Sequence, residues 1–211
     1  MNKKKKAIIF DLDGTLWDST MEVMESWNSV FKQYNTQITH DQMCSYMGKT
    51  QPEIGRLIFP ELPMDEIIDI MTEASKVEHA YVRRHGGRIY EGVTEMLKNL
   101  TESGLFLAIV SNCQDGYVQA FLEYSGLGRY FYDFEMAGRT GKSKGENISL
   151  VMERNGLECA VYVGDTEGDQ KAAGQAEVPF LYAEWGFGHC TEPDYSLDTP
   201  KKIPALIEKI L

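Results

Sequence analysis

Two carboxylates one residue apart, Asp11 and Asp13, stand at the end of a short apolar run, Ala7-Ile8-Ile9-Phe10, within the stretch AIIFDLDGTLWDS. Alternate residues of an extended segment point the same way, so both carboxylates face one small space. Their repulsion raises one pKa unless a cation sits between them. Gly14 lets the backbone turn and its amides approach an anion, and Thr15 adds a hydroxyl beside them. A stretch of this kind is suited to holding a metal ion and a phosphate. Asp-Gly is also an ordinary turn dipeptide. Four specified residues in a pentapeptide, however, arise by chance in a chain this long with odds on the order of one in a thousand.

These groups need strands to carry them, because open α/β sheets place their ligands at the carboxyl ends of strands. The run at residues 7–10 is apolar without alternation, which predicts a strand buried on both faces. From Thr20 to about His85 the texture is helical. Met21, Met24, Trp27, Val30 and Phe31 recur at helical spacing behind Asp18 or Ser19 as cap. Thr39 with Gln42 predicts a capping box for a second helix ending near Gly48, and a third spans 53–59. After Pro60 and Pro63 a long helix at 64–84 carries Ile67, Ile68, Met71, Ala74 and Val77 on its apolar side.

Beyond Gly86 and Gly87, helix and strand alternate, which predicts a parallel sheet with right-handed crossovers. Strands are expected at 105–110, 134–137, 160–163 and 178–182, and helices at 93–103, 114–125, 146–154, 169–175 and 200–211. Polar groups again follow the strands: Ser111 and Asn112, then the loop GRTGKSKG with Lys142 and Lys144, then Asp165 with Asp169. The expected fold class is α/β, a Rossmann-like parallel sheet flanked by helices. Its core comprises residues 1–16 and 89–211, with an inserted all-helical domain at 17–88.

A chain of 211 residues with 43% apolar composition can pack a substantial interior. The net charge of −11 argues against nucleic acid or an anionic membrane as partner. The tetralysine at residues 3–6 is followed by only four apolar residues, too few for a secretory signal, and no stretch approaches the roughly 20 apolar residues of a membrane span. A cytoplasmic enzyme acting on a small molecule, monomeric or homodimeric, is the expectation. Cys44, Cys113, Cys159 and Cys190 are scattered without a C-x-x-C and read as buried thiols, and His40, His79, His85 and His189 lack ligand spacing.

Taken together, DLDGT behind an apolar strand, Ser111 at the next strand end, a lysine of the GRTGKSKG loop and Gly164-Asp165 with Asp169 resemble the four motifs of the haloacid dehalogenase-like superfamily. The resemblance runs from Ile8 to about Gly188. It implies phosphoryl transfer, in which a carboxylate attacks a phosphate dianion only when a cation shields it. Asp11 is then the nucleophile that forms an aspartyl-phosphate, and Asp13 is the general acid and afterwards the base. Mg²⁺ is held by Asp11, the backbone carbonyl of Asp13 and Asp165, with Asp169 supporting them from behind. Thr15, Ser111, Asn112 and Lys144 bind phosphate. The family pattern usually has Pro after its lysine, whereas Gly145 follows Lys144 here. Lys144 is preferred to Lys142 because it directly precedes the helix at 146–154, whose amino end attracts an anion.

Asp13 separates phosphatases and sugar phosphomutases from the dehalogenases of the superfamily, since halide leaves without a proton. The helical insertion resembles the cap of phosphoglycolate phosphatase-like and β-phosphoglucomutase-like members. Its loop Met47-Gly48-Lys49-Thr50-Gln51 lacks the arginine associated with the mutases, and Lys49 is available to a substrate anion. The loop Trp185-Gly186-Phe187-Gly188 resembles the one after the fifth strand in phosphoglycolate phosphatase-like proteins. A Mg²⁺-dependent phosphatase of a small phosphorylated metabolite, phosphoglycolate-like, is therefore expected. The alternatives are a phosphomutase and a catalytically silent binding protein of the same fold.

Overall fold

Strand β1 (Lys6–Phe10) lies inside a six-stranded sheet because both of its faces are apolar. Ala7 and Ile9 pack into one buried cluster and Ile8 and Phe10 into another, on opposite sides of the sheet. The computed structural model describes residues 5–211, so Lys3 and Lys4 of the tetralysine lie outside the described residues.

After β1 the chain passes through β2 (Trp17–Asp18) into four helices: α1 (Thr20–Phe31), α2 (His40–Tyr46), α3 (Gln51–Ile58) and α4 (Met64–His85). It returns along β3 (Arg88–Ile89), which pairs antiparallel with β2, so the way out and the way back form one two-stranded ribbon. Then follow α5 (Val93–Glu102), β4 (Phe106–Ser111), α6 (Tyr117–Ser125), β5 (Asp133–Met136), the one-turn α7 (Ala137–Thr140), α8 (Lys144–Asn155), β6 (Cys159–Gly164), α9 (Glu167–Gln175), β7 (Phe180–Ala183), β8 (Tyr195–Leu197) and α10 (Ile203–Ile210). The main sheet is parallel throughout, in the order β5-β4-β1-β6-β7-β8. The α/β class expected from the alternating texture is the one observed. The short edge strand β8 is additional. Among the described residues no helix is long and apolar enough to cross a membrane, and all four cysteines are free thiols.

Local details depart from the spacing rules where tertiary contacts override them. On α1 the buried stripe is Val23, Trp27, Val30 and Phe31, while Met21 is exposed because it lies on the other side of the helix from Val23. On α4 the stripe is Ile67, Ile70, Met71, Ala74, Ser75, Glu78 and Val82, with Ile68 exposed. Glu78 sits near its middle, where a reading confined to apolar residues passes over it. Helix α8 begins two residues earlier than expected, since Ser143 caps it in a reciprocal box with Glu146. Helix α6 begins three residues later, after a turn in which Gly116 takes a positive φ.

Candidate active site

The carboxyl ends of β1, β4 and β6 lie side by side in the sheet, so residues far apart in sequence meet there. Asp11 directly follows β1, and its backbone N–H donates to Val163 O of β6 at 2.8 Å. Its carboxylate is 2% exposed and its Oδ1 lies 3.0 Å from Lys144 Nζ. That ion pair is the one polar contact of Asp11 Oδ1 among the described residues. Lys144 opens α8 and sends its ammonium inward, where it also donates to Asp169 Oδ1 at 2.5 Å. Burial would lower the Lys144 pKa, but the Asp11 and Asp169 carboxylates overcome this and hold it above its ordinary value. Lys142 is exposed.

Asp165 follows β6, and its Oδ2 accepts from the backbone amides of Phe187 and Gly188, at 2.8 and 3.3 Å. The Trp-Gly-Phe-Gly loop thus clamps this carboxylate with main-chain donors, and Trp185 Nε1 donates to Thr15 O at 3.0 Å. Asp165 Oδ1 has no partner. Asp169, in the first turn of α9, accepts at Oδ2 from Thr166 Oγ1 and from the amides of Thr166 and Asp165. Asp169 is therefore less a solvated cap than the anchor that holds Lys144 and the Asp165 turn together. Gly14 has φ +84°, and a Cβ there would collide with the Asp165 carboxylate, so only glycine lets the β1 loop cross this close.

Asp11, Asp165 and Asp169 each offer a carboxylate oxygen within 4.8 Å of the others, all buried. Burial raises Asp11 well above its ordinary carboxylate value despite Lys144, and burial together with Asp169 raises Asp165 to about 7. Three buried carboxylates facing one lysine are short of positive charge; Asp165 Oδ1 is unpartnered, and Asp11 Oδ1 has only the Lys144 ammonium beside it. A small divalent cation would supply both the charge and the missing partner, since hard cations take carboxylate oxygens. The residues present fit a Mg²⁺ ion.

Asp13 lives in different surroundings. Its Oδ1 accepts from Trp17 Nε1 at 2.9 Å, Ser19 Oγ at 3.0 Å and Tyr117 OH at 2.8 Å, all neutral donors. Burial raises it to about 6, and the hydrogen bonds limit the rise. Sequence reasoning missed all three donors as site residues. Ser19 was expected only as a cap for α1, but Asp18 Oδ1 accepts the Thr20 amide while the Ser19 hydroxyl turns to Asp13. Tyr117, 104 residues away, left no local signal.

A cavity of about 50 Å³ lies between the strand ends and the helical layer. Asp11, Asp13, Ser111, Asn112 and Lys144 border it from the sheet side, and Lys49, Trp27 and Glu78 from the helices. Ser111 Oγ accepts the Cys113 amide at 3.3 Å, which leaves its proton free to donate. Of the other two expected phosphate ligands, Asn112 borders the cavity and Thr15 does not. Asn112 Nδ2 donates to Gly48 O at 2.8 Å, tying the sheet to the helical layer, and Thr15 is buried with an unpartnered hydroxyl. Lys49 is exposed at the rim, its Nζ donating to Ser45 O at 2.9 Å.

The model of the haloacid dehalogenase-like hydrolase family matches residues 8–183 of this chain. Phosphoglycolate phosphatase of Rhodobacter capsulatus is 29% identical over 191 residues, covering 86% of this chain and 85% of that protein. Phosphoglycolate phosphatase of Agrobacterium fabrum is 28% identical over 217 residues, covering 96% and 93%. A crystal structure described as a predicted phosphoglycolate phosphatase from Haemophilus somnus superposes with a TM-score of 0.85 at 23% identity, covering 98% of this chain and all of that one. That likeness concerns the fold.

Proposed function

The chain belongs to the haloacid dehalogenase-like hydrolase family, and from that premise we propose that it is a Mg²⁺-dependent phosphatase of small phosphomonoesters, working through an aspartyl-phosphate on Asp11. The observation that carries this is the contrast between two carboxylates on one cavity wall. Asp11 is paired only with a buried lysine, and Asp13 is held by neutral donors with its pKa near the working range. A nucleophile needs its charge and a free lone pair. A group that first gives and then takes a proton needs a pKa it can cross.

Asp11 attacks phosphorus in line as the bond to the leaving oxygen breaks, and Asp13 delivers the proton to that oxygen. A water then attacks the phosphorus of the aspartyl-phosphate, Asp13 takes the water's proton, and the Asp11 carboxylate is released. Lys144 neutralises charge on the transferring phosphoryl group, and the Ser111 hydroxyl donates to one of its oxygens. Asp11 and Asp165, with the main-chain carbonyl of Asp13, would hold Mg²⁺, which when bound shields the nucleophile from the dianion it attacks. Residues 17–88 act as a cap over the core of 1–16 and 89–211. Movement of the cap admits a phosphomonoester to the cavity between the two parts and closes over it. The relatives named phosphoglycolate phosphatase support a small phosphorylated substrate.

Hydrolysis of p-nitrophenyl phosphate tests the reading. Activity is expected with Mg²⁺, to be lost on dialysis against EDTA, restored by Mg²⁺ and inhibited by excess Ca²⁺, whose looser coordination spoils in-line geometry. Full activity after EDTA dialysis would overturn the metal assignment. The lysine is tested separately. Lys144→Ala is expected to lower kcat by roughly 10²–10³-fold, as for loss of a charge-stabilising donor, and Lys142→Ala to stay within about threefold, since it touches nothing in the site. Steady-state kinetics of both variants decide, and the reverse order would reassign the motif lysine.

A further inference from the structure

Glu78, on the cap helix α4, is 1% exposed and borders the same cavity, yet the phosphoryl-transfer steps make no use of it. Its Oε2 accepts from Trp27 Nε1 of α1 at 2.5 Å, and its Oε1 from Gln114 Nε2, beyond β4, at 2.6 Å. No lysine, arginine or histidine forms an ion pair with it among the described residues. Burial raises its pKa to about 8, and the nearby Asp13 charge adds to the effect. Its ionised form is costly without a counter-charge, so at neutral pH it stands mostly protonated, and on a binding wall it suits a ligand group that hydrogen-bonds to it or brings that counter-charge.

The other charged groups around the cavity are already committed. Lys144 is matched by Asp11 and Asp169, and Lys49 stands exposed at the rim. The cap side otherwise presents mostly apolar side chains, among them Val23, Met43 and Ile54. The indole N–H of Trp27 and the Gln114 amide donor are both taken up by Glu78 itself. The interior therefore offers the organic part of a substrate an acceptor and no free cation. A carboxylate placed there could at best share the one proton of Glu78, which leaves a negative charge in dry surroundings with no cation to match it. A hydroxyl or ammonium would donate to a lone pair that Trp27 and Gln114 leave open, each carboxylate oxygen having two.

We propose that Glu78 is a specificity-determining residue: it accepts a hydrogen bond from a hydroxyl or ammonium group on the organic part of the phosphomonoester, and it disfavours substrates that carry a carboxylate there. The proposal rests on the phosphatase reading and narrows it, placing the preferred substrate apart from phosphoglycolate itself.

The test compares kcat/KM of the full chain with Mg²⁺ for three alkyl phosphates of similar size: 2-hydroxyethyl phosphate, 2-aminoethyl phosphate and phosphoglycolate. p-Nitrophenyl phosphate serves as the general substrate. The hydroxyl or the ammonium ester is expected to exceed phosphoglycolate by at least about tenfold, the scale of one mispaired buried group, and which of the two leads identifies the donor. Glu78→Gln, whose amide cannot become the counter-ion of an ammonium group, is expected to bring that ratio to within about threefold by lowering turnover of the preferred ester. Should this variant not fold, the wild-type ratio alone decides. Phosphoglycolate as the best of the three in the wild type, or a ratio unchanged in a folded Glu78→Gln, overturns the proposal and leaves the phosphatase reading standing. No turnover of p-nitrophenyl phosphate overturns both.

Discussion

Asp11→Asn is expected to lower phosphatase turnover by roughly 10⁴-fold or more while the protein stays folded, because the nucleophile is lost and its shape is kept. The structure explains why the fold should survive so drastic a change in chemistry. Asp11 is buried in a group of three carboxylates that, among the described residues, have only Lys144 as counter-charge, and burial lifts its pKa well above the ordinary value. Its ionised form is therefore no source of stability in the metal-free protein, and an uncharged isostere costs little. Lys144 keeps its hydrogen bond to Asp169 in the variant, so the ammonium is not stranded. Steady-state kinetics with p-nitrophenyl phosphate, alongside a thermal melt, provide the check. Activity within tenfold of wild type would remove Asp11 from the nucleophile's role.

Asp13→Asn is expected to separate the two halves of the reaction. An alkyl phosphate leaves as a poorly stabilised alkoxide and needs a proton, whereas p-nitrophenolate departs without one. Formation of the aspartyl-phosphate should slow by roughly 10²–10⁴-fold with the alkyl ester, the usual weight of a general acid, and much less with the aryl ester. Attack of water needs the same residue as base whatever left first. The aryl substrate should then give a burst of p-nitrophenolate, after which the phosphorylated enzyme accumulates. Rapid quench and intact-protein mass spectrometry read the two steps. An equal slowing for both leaving groups with no phosphoenzyme would limit Asp13 to a structural part in the metal site, and Asp169 and Glu167 would be examined next. Glu167 starts such a contest poorly, because it is exposed. Asp169 is engaged by Lys144 and Thr166.

Tyr117→Phe probes the same residue from the side that sequence could not show. Removing that hydroxyl, 2.8 Å from Asp13 Oδ1, takes away one of three bonds that oppose the rise in the Asp13 pKa. The limb of the pH profile that Asp13 governs should therefore move upward. A profile that does not move would make Tyr117 a packing residue only.

What the sequence by itself determined is everything that depends on near neighbours in the chain. Residues 7–10 are apolar on both faces, so they must form an inner strand, and Asp11 and Asp13 must then emerge at its end. Thr39 with Gln42 makes its capping box from groups three residues apart. The alternation of helix and strand after residue 87 is enough for a parallel sheet, because crossovers of that length leave few other arrangements. Tertiary structure alone decided which side chains reach one another across elements. Between Lys142 and Lys144 the sequence left a choice, and it is the inward course of α8 that brings Lys144 to Asp11 and leaves Lys142 in solvent. Ser19, Trp17 and Tyr117 converge on Asp13 only once the β2–β3 ribbon and α6 are in place. Glu78 falls on the buried stripe of α4 against every rule of hydropathy, because Trp27 of α1 and Gln114 of the loop between β4 and α6 supply the hydrogen bonds that make its burial tolerable. Local propensity is written in windows of a few residues. The pairing of a buried polar group with its partner is settled by packing between segments far apart in the chain.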